Sequence, residues 1–236
     1  MVTQKWPTNL VIVRHGQSLR NVAKAKAKVN RQADSYAGGL RDMDTELTEI
    51  GERQADATGE SLAREHQFHI AFSSPYRRAL QTTERLLAHF SVRPTVILEE
   101  RIREIEFGVF DGLTWDTVKL RNPEEHARRE RDGKYWYRPP GGESRPDVGL
   151  RVHSFLGTLT RDYREKNVLV VCHSVVVLVF RRLLERWDEA QYLKVDHEDD
   201  VLNCSVTAYR YDSAESKLKL NYYNRIYYPE ALSAKI

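Results

Sequence analysis

Little in this chain marks it for a special environment. It has two cysteines in 236 residues, Cys172 and Cys204, and their spacing matches neither a disulfide framework nor a metal-binding pattern. Cys172 closes an apolar run and reads as a buried, reduced thiol. Excess charge of one sign is also scarce: the formal net charge is +3, too small to point to nucleic acid. Of two basic clusters, Lys24, Lys26, Lys28 and Arg31 have no aromatic ladder beside them. The other, Arg128, Arg129, Arg131 and Lys134, is interrupted by acids, so both read as solvated faces. Long apolar runs are missing too. The longest, residues 168–180, is broken by His173 and Ser174 and falls well short of the ~20 residues a membrane helix needs. Lys5, Trp6 and Pro7 precede the first apolar run, unlike a secretory leader. A cytoplasmic protein with neither a membrane nor a nucleic-acid partner is expected.

What is present is an ordinary globular composition, 41% hydrophobic and 30% charged, at a length that suits one domain over residues 1–236. Short β-branched runs alternate with longer helical patterns. That alternation predicts an α/β sandwich, with a mostly parallel central sheet and helices on both faces. Strands are expected over 9–13, 69–72, 96–98 and 168–171. Thr48 reads as the N-cap of a helix through Gln54, Ala55 and Leu62, and Pro75 as the opening of the next. Ser144 with Asp147 resembles a capping box ahead of a helix of about five turns. Another helix should follow the fourth strand to about Trp187. Residues 107–140 are aromatic, charged and poorly periodic, an excursion of short helices covering the site. Alternating runs over 205–211 and 217–223 predict a closing antiparallel pair.

Two strands finish alike. The first delivers Arg14-His15-Gly16 and the fourth Cys172-His173-Ser174, each leading from an apolar run into a helix. Ligands of open α/β sheets bind outside the carboxyl ends of the strands, so the two histidines could face one ligand. The second strand adds Ser73-Ser74-Pro75-Tyr76-Arg77-Arg78 at the corresponding place. Helix N-termini favour anions, and Arg14 and Arg78 add planar forks that match phosphate oxygens. Spacing alone supports an anion-binding α/β domain.

The motifs say more. Val13-Arg14-His15-Gly16-Gln17-Ser18 with Asn21 resembles the Arg-His-Gly signature of the histidine phosphatase superfamily, which includes the cofactor-dependent phosphoglycerate mutases and many phosphatases. Leu47-Thr48-Glu49-Ile50-Gly51 with Gln54-Ala55, Ser74-Pro75-Tyr76-Arg77-Arg78-Ala79, Ile102-Arg103-Glu104-Ile105-Glu106-Phe107-Gly108, Gly142-Glu143-Ser144 and the Val-Cys-His ending at His173 follow in the family's order. The resemblance implies that His15 is the nucleophile that becomes phosphohistidine. It implies that Arg14, Arg78 and His173 bind the phosphoryl oxygens, with His173 charged. Glu104 would be the proton donor to the leaving oxygen, and Glu106 a neighbour of less certain use. Gln17, Asn21 and Ser174 are further candidates for phosphate contacts, Ser174 as the cap of its helix in place of the family's usual glycine.

Tyr135, Trp136 and Arg138 are candidates for contacts to the rest of the substrate, although a packed aromatic cluster is an equal alternative. The partner implied is a small phosphorylated substrate, with no cofactor and no metal. A dimer is compatible with the sequence, which does not specify the oligomeric state. The segment between Asn21 and Leu47 lacks the Phe-Thr-Gly-Trp pattern associated with the glycolytic mutases, which favours phosphatase over mutase. A non-catalytic phosphate-binding module of the same fold would be expected to have lost the nucleophile or the acid, and both are present.

Overall fold

The computed structural model describes residues 4–30 and 38–233; the side chains of Lys28 and Asn30 lie outside the described residues, as does Arg31. Six strands form one sheet, β1 (Asn9–Arg14), β2 (Ile70–Ser73), β3 (Thr95–Leu98), β4 (Asn167–Cys172), β5 (Val206–Asp212) and β6 (Lys217–Arg225), in the order β3-β2-β4-β1-β5-β6. β1 to β4 run parallel, and β5 and β6 add an antiparallel edge. Eight α-helices accompany the sheet among the described residues: α1 (Leu19–Asn30), α2 (Glu49–Glu65), α3 (Arg77–Ala88), α4 (Trp115–Arg121), α5 (Pro123–Trp136), α6 (Arg145–Asp162), α7 (Ser174–Glu185) and α8 (Glu189–Glu198).

Between their ends the central strands are apolar throughout, Leu10 to Val13 in β1 and Val168 to Cys172 in β4, because both sheet faces are covered. Leu10, Ile12, Phe72, Val168 and Val170 point to one side, where Val152, Phe155 and Leu156 of α6 and Val176 and Phe180 of α7 meet them. Val11, Val13, Ala71, Leu169 and Val171 point to the other, against Leu62 of α2 and Ala79, Leu86 and Leu87 of α3. Burying each of the larger side chains stabilises the fold by about 1.5–3 kcal/mol. No helix among the described residues is long and apolar enough to cross a membrane.

Caps fall where the sequence places them in α2 and α6. The Thr48 hydroxyl accepts the Gly51 N–H, and Ser144 and Asp147 form a reciprocal capping box. Two expectations need correction. Pro75 does not open α3: the helix starts at Arg77 with Tyr76 as its N-cap, leaving Pro75 in the turn. Ser174 is the first residue of α7 and His173 the cap, so the serine hydroxyl is not engaged as a helix cap. Residues 107–140 do hold short helices, α4 and α5, and α1 is a helix where the sequence offered no periodic signal.

Candidate active site

β1 and β4 are neighbours in the middle of the sheet, paired with Arg14 opposite Cys172. The next residue of each strand is a histidine, so the two leave the sheet side by side. The His15 N–H donates to the Cys172 carbonyl at 2.9 Å, and the imidazole centroids lie 5.1 Å apart. β2 ends one strand further along and places the Ser74 hydroxyl 2.8 Å from Nε2 of His173. Arg78, in the first turn of α3, is 4% exposed and donates from Nε to His15 Nε2 at 3.1 Å. Glu104 reaches in from the loop after β3, its Oε2 accepting the Ser174 hydroxyl at 3.4 Å. Arg14, His15, Arg78, Glu104 and His173 are thereby gathered from four separate stretches of chain.

The loop that carries His15 is held by a backbone crossing. Gly16 passes over Gly51 of α2 so closely that a Cβ on Gly16 would lie 2.4 Å from the Gly51 carbonyl oxygen, and one on Gly51 would lie 2.0 Å from the Gln17 oxygen. Neither position tolerates a side chain. The Gly16 N–H donates to Thr82 Oγ1 at 3.0 Å and the Gln17 N–H to Gln54 Oε1 at 2.9 Å. Thus the Leu-Thr-x-x-Gly motif, with Gln54, and Thr82 of α3 all bear on the loop that carries His15.

His15 is held as a neutral imidazole. Its Nδ1 is 2.7 Å from the Gly16 carbonyl, which can only accept, so the proton sits on Nδ1 and the lone pair on Nε2. Burial, followed by the charges of Arg78 and Arg14, pushes its pKa well below the ordinary imidazole value. The same causes, burial first and then Arg78, hold His173 well below that value. The expectation of a charged His173 therefore fails for the protein by itself: two arginines beside a buried ring favour the neutral form. Burial raises the Glu104 pKa above the usual carboxylate value, against opposing pulls from the Ile105 N–H and from Arg78 and Arg14. Arg14 donates to the Val201 carbonyl, while its Nε and His173 Nδ1 are buried without a partner. Such polar nitrogens suit a ligand rich in acceptor oxygens.

A residue not anticipated from the sequence sits on Arg78. Asp42, in the 3-10 turn Asp42–Asp44, accepts from both terminal nitrogens of the guanidinium at 3.0 Å, and its carbonyl accepts from Nη1 at 2.6 Å. Arg20 pairs with the same carboxylate at 2.9 Å and also with Asp111. A planar carboxylate in the Arg78 fork holds the place where two phosphoryl oxygens would bind. A phosphate bound in that fork would have to displace it. Asp42→Asn is therefore expected to bind inorganic phosphate or vanadate roughly ten times more tightly, the equivalent of about 1.4 kcal/mol. The phosphate-free variant should also melt at a lower temperature, because Arg78 loses its counter-charge, and recover when phosphate is added. Calorimetric titration checks this. Weaker binding in the variant would instead make Asp42 part of the phosphate site.

Comparison with known proteins agrees with the geometry. A family model described as the histidine phosphatase superfamily (branch 1) matches residues 10–224. The chain belongs to that superfamily. Three mycobacterial relatives, among them a protein of Mycobacterium tuberculosis named as bifunctional, are 32% identical over 177 residues, 75% of this chain. The chain spans 44% of their length. A 2,3-bisphosphoglycerate-dependent phosphoglycerate mutase of Methylobacterium radiotolerans is 34% identical over 186 residues, 77% of this chain and 81% of that one. Among solved structures, a mycobacterial glucosyl-3-phosphoglycerate phosphatase in complex with inorganic phosphate superposes with a TM-score of 0.70 at 25% identity, covering 97% of this chain and 100% of its own. The superfamily thus supplies both phosphatases and mutases as relatives.

Some candidates on this histidine phosphatase scaffold lie elsewhere or are otherwise engaged. Tyr135 is buried against Tyr192 of α8, with ring centroids 5.3 Å apart. Trp136 is exposed and donates to Glu189 at 2.6 Å. Arg138 is exposed and paired with Asp147, the capping carboxylate of α6. The packed aromatic cluster is the arrangement found, and none of these contacts joins the His15 group. Gln17 is next to the site, but its side-chain oxygen accepts the Thr48 hydroxyl at 2.8 Å. The Asn21 oxygen accepts from the Ser18 N–H and hydroxyl and from Asn203, which also donates to the His15 carbonyl at 3.1 Å. Asn203 had no motif to announce it. Ser74 and Tyr76, whose ring stands 5.1 Å from that of His173, did have one, the Ser-Pro-Tyr segment.

Proposed function

We propose that this chain is a phosphatase that hydrolyses small phosphomonoesters through a phosphohistidine on His15, with Glu104 as acid and then base, and without a metal ion. The observation that carries the reading is the state of His15: a neutral imidazole with its lone pair on Nε2, fixed by the Gly16 carbonyl and set against Arg78. In the first step Nε2 attacks phosphorus, the phosphorus–oxygen ester bond breaks, and Glu104 gives its proton to the departing oxygen. In the second, Glu104 takes a proton from water as that water attacks phosphohistidine, releasing phosphate and restoring both groups. Splitting the hydrolysis in this way replaces one hard attack by water with two easier transfers. Arg14 and Arg78 supply the positive charge that the equatorial oxygens require in the transition state. Once a dianion is bound, its charge favours a proton on His173, which then donates to an oxygen.

The mutase relative raises a second reading, in which phosphohistidine rephosphorylates a glycerate. A mutase must shield its intermediate from water, and the sequence between Asn21 and Leu47 lacks the pattern associated with that task. Steady phosphate release from a panel of phosphomonoesters is expected to persist after exhaustive chelation. Vanadate, which mimics the five-coordinate phosphoryl group, should inhibit it. Interconversion of 3- and 2-phosphoglycerate, primed with 2,3-bisphosphoglycerate, should be negligible in the same preparation. Interconversion faster than release would make the enzyme a mutase, and activity lost to chelator and restored by a divalent ion would overturn the metal-free mechanism.

A further inference from the structure

After the 3-10 turn Glu100–Ile102, the segment that presents Glu104 has no regular structure to hold it. Ile102 and Ile105 anchor it in the core, at 0% and 2% exposure, but the acid itself lies between them. Its backbone is gripped from outside by two paired side chains, Arg151 of α6 and Glu143. Arg151 Nη1 donates to the Arg101 carbonyl at 2.7 Å, and Nη2 donates to the carbonyl of Glu104 itself at 3.2 Å. Two further donors go to Glu143: Nε to Oε1 at 2.9 Å and Nη2 to Oε2 at 3.1 Å.

Glu143 in turn holds both flanks of the acid. It accepts from Arg103 Nη2 at 3.0 Å and from the Glu106 N–H at 3.1 Å, and its own N–H donates to the Glu106 carbonyl at 2.8 Å. Arg151 and Glu143 are 11% and 15% exposed, so water competes poorly for these bonds. Apart from the pairing of Arg151 with Glu143, these contacts are directed at residues 101–106.

We infer that Arg151 is a positioning residue for Glu104, fixing through Glu143 and two loop carbonyls where the proton donor stands relative to the leaving oxygen. This rests on Glu104 being the acid. The role needs a planar fork with several donors in fixed directions; a lysine carries the same charge as a single point and cannot reproduce it. Arg151 makes no hydrogen bond to the histidines or the phosphate-binding arginines, and lysine keeps the positive charge that reaches His173 from a distance, so Arg151→Lys should leave phosphate binding alone.

The test compares Arg151→Lys, Arg151→Ala and Glu104→Gln, singly and with each Arg151 variant combined with Glu104→Gln. Each is assayed in the intact chain on an alkyl phosphate and on p-nitrophenyl phosphate, with vanadate affinity measured alongside. Because both substrates are read on one preparation, partial unfolding cancels in their ratio. Arg151→Lys is expected to lose about ten-fold or more on the alkyl ester, where departure needs a proton, and at most about three-fold on the phenyl ester. Vanadate affinity should stay within about three-fold. In the Glu104→Gln background neither Arg151 variant should add a further selective loss, since both changes disable the same proton transfer. If Glu104→Gln is selective and Arg151→Lys and Arg151→Ala are not, Glu104 is the acid and Arg151 is merely structural. If Glu104→Gln itself shows no selectivity, the acid has been misassigned and the positioning role falls with it.

Discussion

His15→Ala is expected to abolish covalent labelling and to lower turnover by at least about three orders of magnitude, since no other route splits the hydrolysis into two steps. Brief exposure of the wild-type protein to labelled substrate should leave phosphate on the chain in an acid-labile, base-stable form, as befits a phosphorus–nitrogen bond. The structure gives grounds to expect a specific loss. His15 is buried, yet its ring makes two polar contacts, to Gly16 and Arg78. The loop around it is held by backbone bonds of Gly16 and Gln17 that alanine leaves intact. Vanadate affinity in the variant should fall far less than turnover, because Arg14, Arg78 and His173 remain. His173 is the competitor to exclude, being a second neutral imidazole 5.1 Å away. Its Nε2 is 2.8 Å from the Ser74 hydroxyl, however, and no carbonyl fixes its tautomer as Gly16 does for His15. Label that persists in His15→Ala, or that maps to His173, Ser18 or Ser174, would show that the nucleophile has been misassigned.

What could be seen in the sequence follows from how locally each feature is determined. β1 and β4 are buried on both faces, so they appear as unbroken apolar runs, and the residues that end them are necessarily at the rim of the sheet. His15 and His173 were legible for that reason. The close crossing of Gly16 and Gly51 explains why two separated motifs are both needed: each glycine exists for the other's backbone. Asp42 was not legible. It meets Arg78 across 36 residues of chain, and an aspartate in a polar segment carries no local sign of a tertiary partner. Helix α1 was missed because its Ala-Lys alternation favours a helix by propensity while lacking an apolar stripe. Tyr135 went the other way. An aromatic in a charged stretch can serve a ligand or a core, and here α8, a helix whose single buried residue is Tyr192, decides for the core. Even the charge of His173 depends on tertiary contact, since only the fold brings both arginines beside it.

Glu104→Gln is expected to slow hydrolysis of alkyl phosphates by about 10²–10⁴-fold while costing p-nitrophenyl phosphate about ten-fold or less. An alkoxide leaving without a proton is a very poor group, whereas a nitrophenolate is stable enough to leave as the anion. The pH profile gives an independent check. Glu104 must be protonated to act as acid, and its raised pKa extends that form upward in pH. His15 must be neutral to attack, and its depressed pKa extends that form downward. For the wild-type protein, kcat/KM on an alkyl ester should therefore fall as pH rises through the Glu104 value and fall again only at low pH, where His15 takes a proton. In Glu104→Gln the high-pH fall should vanish from the residual rate, because glutamine does not titrate, while the low-pH fall remains. Glu106 is the alternative acid: its pKa is also raised by burial and then by Asp111 and Asp42. It is two residues further along the loop, and the Ser174 contact at the rim of the His15 group belongs to Glu104. If Glu104→Gln loses equally on both esters and keeps the high-pH fall, and Glu106→Gln shows the selective loss instead, the proton comes from Glu106 and Glu104 serves only to hold Ser174 and the loop.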